Sequence, residues 1–299
     1  MGESFDVIIP FESNLQNDIQ SYEAFINLYH ELNTQYNKRV LLDFSKVTFI
    51  SANLLAVMGC CVDNTLAERK HKITLFKLHS NIKRVMRKNG FNRYFTWDDL
   101  DDTYHSTMDY KIFKANTEEL VDFEKYLQIN IFSRNDLPIM NGRFQTEIID
   151  NFLEMFNNVI DHSGSNCAYV CGQYFPKSSN LTFTIVDIGK TIFENVSRYI
   201  YDTEQEMPNN CLQWALQQGN STKDEPGGLG LSVLMDFLRI NRGEFILLSG
   251  NESYCLRKKK EKYQNLNMAF PGTIVTITIN LSDESIYLLD SDKKNMIVF

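Results

Sequence analysis

The stretch FLEMFNNVIDHSG, residues 152–164, carries three polar side chains at intervals of four residues: Glu154, Asn158 and His162. Residues i, i+4 and i+8 lie along one face of an α-helix. That face would present a carboxylate that can act as a base, an amide oxygen that can hold a cation, and an imidazole. The stretch therefore predicts a helix whose polar face belongs to a ligand site.

Two glycine motifs follow this helix along the chain. Asp187-Ile188-Gly189 ends the apolar strand candidate LTFTIVDI, where its carboxylate could accept a hydrogen bond from an adenine amino group. GGLGL, residues 227–231, would let backbone N–H groups approach phosphates at the start of a helix. Each motif alone is common, as a solvated helix face, a turn or a plain helix start. Their order within one compact domain predicts a nucleotide site.

The three motifs together resemble the GHKL ATPase superfamily of DNA gyrase, the ninety-kilodalton heat-shock chaperone, histidine kinases and the MutL repair proteins. The resemblance covers about residues 140–282 and implies a Bergerat-type α/β sandwich that binds ATP and Mg²⁺. Asn158 matches the magnesium-binding Asn and Glu154 the general base. Asp187 matches the Asp that reads adenine, and Thr191 stands where the family has a second glycine.

The resemblance also implies the rest of the site. His162 and Ser163 match the end of this helix in the anti-sigma-factor kinases. The polar loop 219–228 has the composition of a lid over a ligand, in which Thr222 and Lys223 either contact the terminal phosphate or are simply solvated. The expected catalytic residue is Glu154 and the expected metal ligand is Asn158. The expected nucleotide-binding residues are Asn158, Asp161, His162, Asp187, Gly189, Ile192, Thr222, Lys223, Gly227, Gly228, Leu229, Gly230 and Leu231.

The N-terminal hundred residues alternate between strand and helix patterns. Strands are predicted at 5–11, 39–44 with an extension at 47–50, and 72–78, and helices at 18–36, 52–69 and 80–89. Strands that alternate with helices indicate an α/β layer. Asp43-Phe44-Ser45, VTFI and the following helix resemble a STAS domain, the fold of anti-sigma-factor antagonists.

This resemblance implies a docking or dimerising module that has lost its switch. Asn53 occupies the position that takes phosphate in the phosphorylated members, and an amide is no phosphoryl nucleophile. Ser51 is expected to cap the helix instead. We therefore expect no phosphate transfer to this domain, and a protein partner or self-association through it.

The predicted organisation has a STAS-like domain over 1–98, a linker and connector helix over 99–140, and an ATP-binding domain over 141–299. The linker begins with the acidic run DDLDDTYH, and the connector helix is predicted at 117–132 from its apolar spacing. The expected fold class is thus α/β and α+β, with an N-terminal α/β layer and a C-terminal α/β sandwich.

Composition restricts the classes of function. The chain has 299 residues and a net charge of −8, which disfavours general nucleic-acid binding; the basic run 257–262 is most simply a solvated hairpin tip. No apolar run has the length of a membrane span, and the N-terminus lacks a basic signal region. The six cysteines show no metal-ligand spacing and predict reduced, buried thiols. A cytoplasmic protein is expected.

The same motifs serve three functions. The expected one is an ATPase that acts as a conformational switch in bacterial regulation; the alternatives are a protein-serine kinase of the anti-sigma-factor type and a nucleotide-binding module without turnover. His30-Glu31 also resembles the phosphoacceptor box of sensor histidine kinases, in which the acid assists the imidazole. The strand pattern that follows it, where such a kinase has a second long helix, favours an ordinary surface histidine.

Overall fold

The computed structural model describes residues 4–217, 219–220, 231–289 and 292. The N-terminal third contains three parallel strands in the order β1-β2-β3: β1 Val7–Pro10, β2 Arg39–Asp43 and β3 Lys72–Phe76. Three helices alternate with them: α1 Ile19–Asn33, α2 Leu54–Arg69 and α3 Ser80–Lys88. The predicted alternation is confirmed. The predicted extension at 47–50 is not a strand, and only Ile50 bridges to Leu15.

A second sheet of five antiparallel strands has the order β4-β6-β7-β9-β8. Its strands are β4 Thr107–Lys114, β6 Cys167–Phe175, β7 Asn180–Ile188, β8 Glu244–Arg257 and β9 Lys260–Asn280. A small parallel pair is made by β5 Ile139–Met140 and β10 Ile286–Tyr287. The remaining helices are α4 Leu120–Leu127, α5 Gly142–Asn158, α6 Ile192–Asp202, α7 Cys211–Leu216 and α8 Ser232–Asn241. The chain is therefore a mixed α/β protein with several sheets.

The two faces of the five-stranded sheet are covered by different parts of the chain. Along β7, Phe183 and Ile185 belong to one hydrophobic cluster, which also contains the apolar faces of α4, α5 and α8. Val186 and, on β9, Ile274 belong to another cluster, which contains α1 and α2. Alternate residues of a strand point to opposite faces, so the sheet separates two layers of helices.

Helices α1 and α2 lie between the two sheets. Right-handed crossovers in a β1-β2-β3 order place both helices on the same face of the parallel sheet. Their other side contacts β6, β7 and β9. This position explains the sequence of α2, because every residue from Leu54 to Val62 is buried. The molecule thus has four layers, and α2 is apolar on all sides because protein surrounds it.

The segment predicted as a linker contributes a strand that the sequence analysis did not predict. In β4, the side chains of Met108, Tyr110 and Phe113 are buried, and a bulge between Met108 and Lys111 breaks the alternation that would have marked a strand. The predicted connector helix is present as α4, flanked by a short 3₁₀ turn and a π turn at Gln128–Phe132. Within the described ranges, no helix is long and apolar enough to cross a bilayer.

Candidate functional site

A cavity of about 560 Å³ lies between the five-stranded sheet and helices α5 to α8. The predicted site residues that line it are Glu154, Asn158, His162, Asp187, Ile192 and Leu231. Residues from three distant parts of the sequence therefore meet at one cavity. A volume of this size is typical of a small-molecule site.

The three polar residues of the first motif reach the cavity through a helix that changes its geometry. Helix α5 ends at Asn158, and a π turn continues from Val159 to Ser163, closed by Gly164 with a φ of +65°. The sequence predicted an uninterrupted α-helical face through His162. A π turn is wider than an α turn and is often found at functional sites. Glu154, Asn158 and His162 all line the cavity.

Asp187 is the most unusual group of the cavity. Its side chain is only 3% exposed, and its Oδ1 atom has no hydrogen-bond partner among the described residues. Burial raises the pKa of this carboxyl to about 7, because the charged form loses its hydration. A buried acceptor without a partner costs about 1–3 kcal/mol. The position is therefore unfavourable for stability and suited to a ligand that donates a hydrogen bond.

Gly189 fixes the second motif against the first. A Cβ atom at this glycine would lie 2.3 Å from the Ser163 carbonyl oxygen, so no other residue fits without a shift. The N–H of Lys190 donates to the same oxygen at 2.6 Å, and the N–H of Gly189 donates to Pro271 at 3.0 Å. Gly189 is not itself part of the cavity lining. Its role is to hold the strand end that carries Asp187 against the π turn.

Thr191, two residues after Gly189, begins helix α6 as its N-cap. Its hydroxyl accepts the N–H of Glu194 at 3.2 Å, and the Glu194 carboxylate accepts the N–H of Thr191 at 2.6 Å. This reciprocal pair is a capping box. The next residue, Ile192, lines the cavity and donates its N–H to the Ser249 hydroxyl at 2.9 Å. Thr191 thus starts a helix that forms one wall of the cavity.

Helix α7 forms another wall, and a buried carboxylate holds it in place. Glu252 of β8 is 8% exposed and accepts the N–H groups of Cys211 and Leu212 at 3.2 and 3.0 Å. These are the first two residues of α7, whose later residue Trp214 lines the cavity. The sequence analysis missed Glu252, Trp214 and the lining residue Lys190. An acid within the apolar strand that follows Gly250 was the one available signal for Glu252.

The third motif is described only at its end. Leu231 stands at the N-cap of α8 without a side-chain cap, and the buried Asn151 of α5 accepts the N–H of Leu234 at 2.9 Å. The start of α8 is thereby fixed to the helix that carries Glu154. The predicted residues Thr222, Lys223, Gly227, Gly228, Leu229 and Gly230 lie outside the described residues.

Asp161, like Gly189, is a predicted site residue that does not line the cavity. It is exposed on the π turn and is not among the lining residues. Because a π turn has more residues per turn than an α-helix, Asn158 and His162 remain at the cavity while Asp161 lies to one side. His30 lies on α1, against the opposite face of the sheet, where its Nε2 atom is 2.7 Å from the Ala269 carbonyl oxygen.

The side-chain oxygens near Glu154 are too few to hold a hard cation alone, and they suit one whose other ligands come from a bound molecule. In the part of the chain that the structure describes, no three His, Cys, Asp or Glu residues are grouped as a metal site. Magnesium in nucleotide sites takes one or two protein oxygens and completes its coordination with water and phosphate oxygens. The amide of Asn158 and the carboxylate of Glu154, which share the cavity, fit that requirement.

No protein-family model matches the chain, and no curated protein is significantly similar to it. The functional assignment therefore depends on the motifs and on the geometry of the cavity.

Proposed function

We propose that this protein binds ATP with Mg²⁺ in the cavity, as a GHKL-type domain joined to a STAS-like N-terminal layer, and works as an ATP-driven conformational switch. The observation that carries the proposal is the buried Oδ1 atom of Asp187, which has no hydrogen-bond partner in the part of the chain that the structure describes and lies in the same cavity as Glu154 and Asn158. The order of layers in the fold is compatible with a Bergerat-type sandwich whose second face is covered by the STAS-like helices.

Asp187 would select adenine. An ionised carboxylate only accepts hydrogen bonds, and the amino group of adenine donates them. At the corresponding position guanine has an oxygen that also accepts, so it would leave Asp187 without a partner and add repulsion. Pairing with adenine would remove the desolvation cost of the buried Oδ1 atom, which favours adenine over guanine.

Glu154 and Asn158 would act on the phosphate end of the ligand. The Asn158 amide oxygen would hold Mg²⁺, which neutralises phosphate charge when bound. The Glu154 carboxylate would orient the attacking water or hydroxyl and take its proton. Lys190 also lines the cavity and adds one positive charge near the anionic ligand.

A protein-serine kinase and a nucleotide-binding module without turnover would use the same cavity. For the kinase, the acceptor would have to be on another molecule. Ser51 and Asn53 are 3% and 0% exposed, and they lie behind the five-stranded sheet as seen from the cavity. Transfer within one chain to this position therefore has no route, which supports the switch over an internal phosphorelay.

Calorimetric titration with ATP and GTP, with and without Mg²⁺, tests the proposal. We expect ATP to bind more tightly than GTP, and Asp187→Asn to weaken ATP binding by roughly 10- to 100-fold, which corresponds to the loss of about 1.5–3 kcal/mol from a hydrogen bond to a charged group. Asp161→Asn is the matched control, because it makes the same change at an exposed residue outside the cavity lining, and should leave affinity within about twofold. No binding by the wild type, or equal affinity for both nucleotides, would refute the proposal.

A further inference from the structure

A chain of buried hydrogen bonds crosses the interface between the N-terminal helices and the five-stranded sheet. The Asn53 Nδ2 atom donates to the Thr184 hydroxyl at 3.0 Å, which lies 2.7 Å from the Thr276 hydroxyl. The Tyr22 hydroxyl follows at 2.7 Å and donates to the Asn17 Oδ1 atom at 2.6 Å. The first four residues are each at most 1% exposed. Water therefore does not compete for the three bonds among these four residues.

The two ends of the chain fix its direction. An amide nitrogen such as Asn53 Nδ2 only donates, and an amide oxygen such as Asn17 Oδ1 only accepts. The three hydroxyls between them must then each accept from the Asn53 side and donate toward Asn17. In this order every hydroxyl accepts one bond and donates one, and neighbouring bonds polarise and strengthen one another. Loss of one hydroxyl would therefore leave buried partners unsatisfied on both sides.

The middle of the chain lies directly behind the proposed nucleotide site. Thr184 and Thr276 face each other across strands β7 and β9. Three residues further along the same strands, Asp187 and Thr273 face each other on the opposite side and line the cavity. At about 3.3 Å per residue, the two pairs are roughly 10 Å apart. The strand pair that presents Asp187 is thus held from behind by α1, through Tyr22, and by the start of α2, through Asn53.

On the basis of the proposed function, we propose that this hydrogen-bond chain couples the docking of the N-terminal helices to adenine-nucleotide affinity. Tyr22, Asn53, Thr184 and Thr276 are positioning residues for Asp187. If one bond of this hydrogen-bond chain is lost, Thr184 and Thr276 must form other hydrogen bonds. Strand β7 then moves relative to β9 at the position of the Asp187 carboxylate. Coupling between two sites is reciprocal. Bound nucleotide therefore tightens the docking of α1 and α2, and a force or partner that loosens this layer lowers nucleotide affinity.

Thr276→Val tests the coupling, with Thr278→Val as its control. Both changes remove a buried hydroxyl from the same face of β9, and Thr278 lies two residues further from the cavity. Its hydroxyl lies 3.0 Å from that of Thr182 and accepts a long bond of 3.5 Å from the Asn17 Nδ2 atom, so Thr278→Val leaves the four bonds from Asn53 to the Asn17 Oδ1 atom in place. We expect Thr276→Val to weaken binding of ATP with Mg²⁺ by roughly five- to thirtyfold, within the usual range of coupling between sites. Thr278→Val should change it less than about twofold. If Thr276→Val does not fold, Tyr22→Phe removes a hydroxyl from the same chain and carries the same expectation.

Hydrogen exchange measures the reciprocal effect. In the wild type, ATP with Mg²⁺ should slow exchange of the α1 amides, and Thr276→Val should reduce this protection at saturating nucleotide, which a loss of stability alone would not do. A wild type that binds nucleotide, with Thr276→Val at wild-type affinity or with both variants equally weakened, would overturn the coupling and leave the proposed function standing. A wild type that binds no nucleotide would overturn both.

Discussion

The two faces of the five-stranded sheet differ in how the polar side chains of its strands are bonded. On the face that packs against α1 and α2, the hydroxyls of Thr184 and Thr276 each accept and donate a hydrogen bond, although the Oδ1 atom of Asn53 beside them has no partner among the described residues. On the cavity face of the same strand, three residues away, Asp187 keeps a buried oxygen without a partner among the described residues. Satisfied polar groups specify how layers pack, whereas the unsatisfied carboxylate oxygen of Asp187 lines a cavity, where a ligand could supply its partner. One strand therefore serves both structure and recognition.

The largest effect that separates the faces should be on turnover, if the protein hydrolyses or transfers phosphate as proposed. Glu154→Ala should lower the rate by roughly 10²–10⁴, the usual loss when a general base is removed, with little change in nucleotide affinity. Glu147→Ala makes the same change two turns earlier on α5, at an exposed position outside the cavity lining, and should leave the rate unchanged. A phosphate-release assay decides, and a Glu154→Ala rate within a few fold of wild type would show that this carboxylate is structural.

On the packed face, the largest effect should be on stability. Leu55→Ala should lower the free energy of unfolding by about 2–5 kcal/mol, because Leu55 is 0% exposed in the helix between the two sheets. Ile8→Ala is the control, since Ile8 is 60% exposed on the parallel sheet and should cost less than about 1 kcal/mol. Denaturant unfolding measures both variants. Similar losses for the two would mean that α2 is not enclosed.

A smaller effect is expected in the pH dependence of nucleotide binding, which should come from Asp187 on the cavity face. The pKa of Asp187 is raised to about 7 by burial, and the ionised carboxylate is a stronger hydrogen-bond acceptor for the adenine amino group than the neutral acid is. ATP affinity should therefore fall as the pH falls through 7, by up to roughly tenfold from pH 8 to pH 6, since about a tenth of the carboxyl is ionised one unit below its pKa. Calorimetry of Asp187→Asn should show no such decline. A wild-type affinity that is flat between pH 6 and 8 would contradict an adenine contact through this carboxylate.

The smallest effect should come from the wall of the cavity. Thr191→Ala removes the cap of α6 and should lower the free energy of unfolding by about 1 kcal/mol. Because its side chain bonds to Glu194 and Thr191 is not among the residues that line the cavity, nucleotide affinity should stay within about twofold. Thermal unfolding and titration on the same sample compare the two quantities. A large loss of affinity with unchanged stability would place Thr191 in contact with the ligand.

Helices, strands and motifs that are determined by residues close in sequence could be predicted from the sequence. The first motif, the apolar strand before Asp187 and the alternation of the N-terminal third were all readable in this way. The π turn after Asn158 was not, since nothing in the residue spacing distinguishes it from a further α turn. The strand β4 was missed because its bulge removes the period of two on which strand prediction depends.

The position of the N-terminal layer could not be predicted for a different reason. A helix that is apolar all round must be buried, but its sequence does not say against what. The sequence placed Asn53 at a position that accepts phosphate in STAS domains, where an amide cannot be phosphorylated, and predicted that Ser51 caps the helix. The N-cap of α2 is Asn53, and its side chain makes no cap bond and reaches Thr184 instead, a contact across 131 residues of sequence. Only the folded structure brings those two residues together.

The enclosure of α2 also has a consequence for the synthesis of the protein. The ribosome releases this helix early, yet the sheet that covers its second side is complete only when β9 ends at Asn280. At a synthesis rate of about 5–20 residues per second, the apolar surface from Leu54 to Val62 stays uncovered on its second side for on the order of ten to forty seconds. Nascent chains halted before β7 should therefore expose the apolar surface of α2 to solvent. We expect such chains to bind a chaperone through that helix until the C-terminal strands have been made.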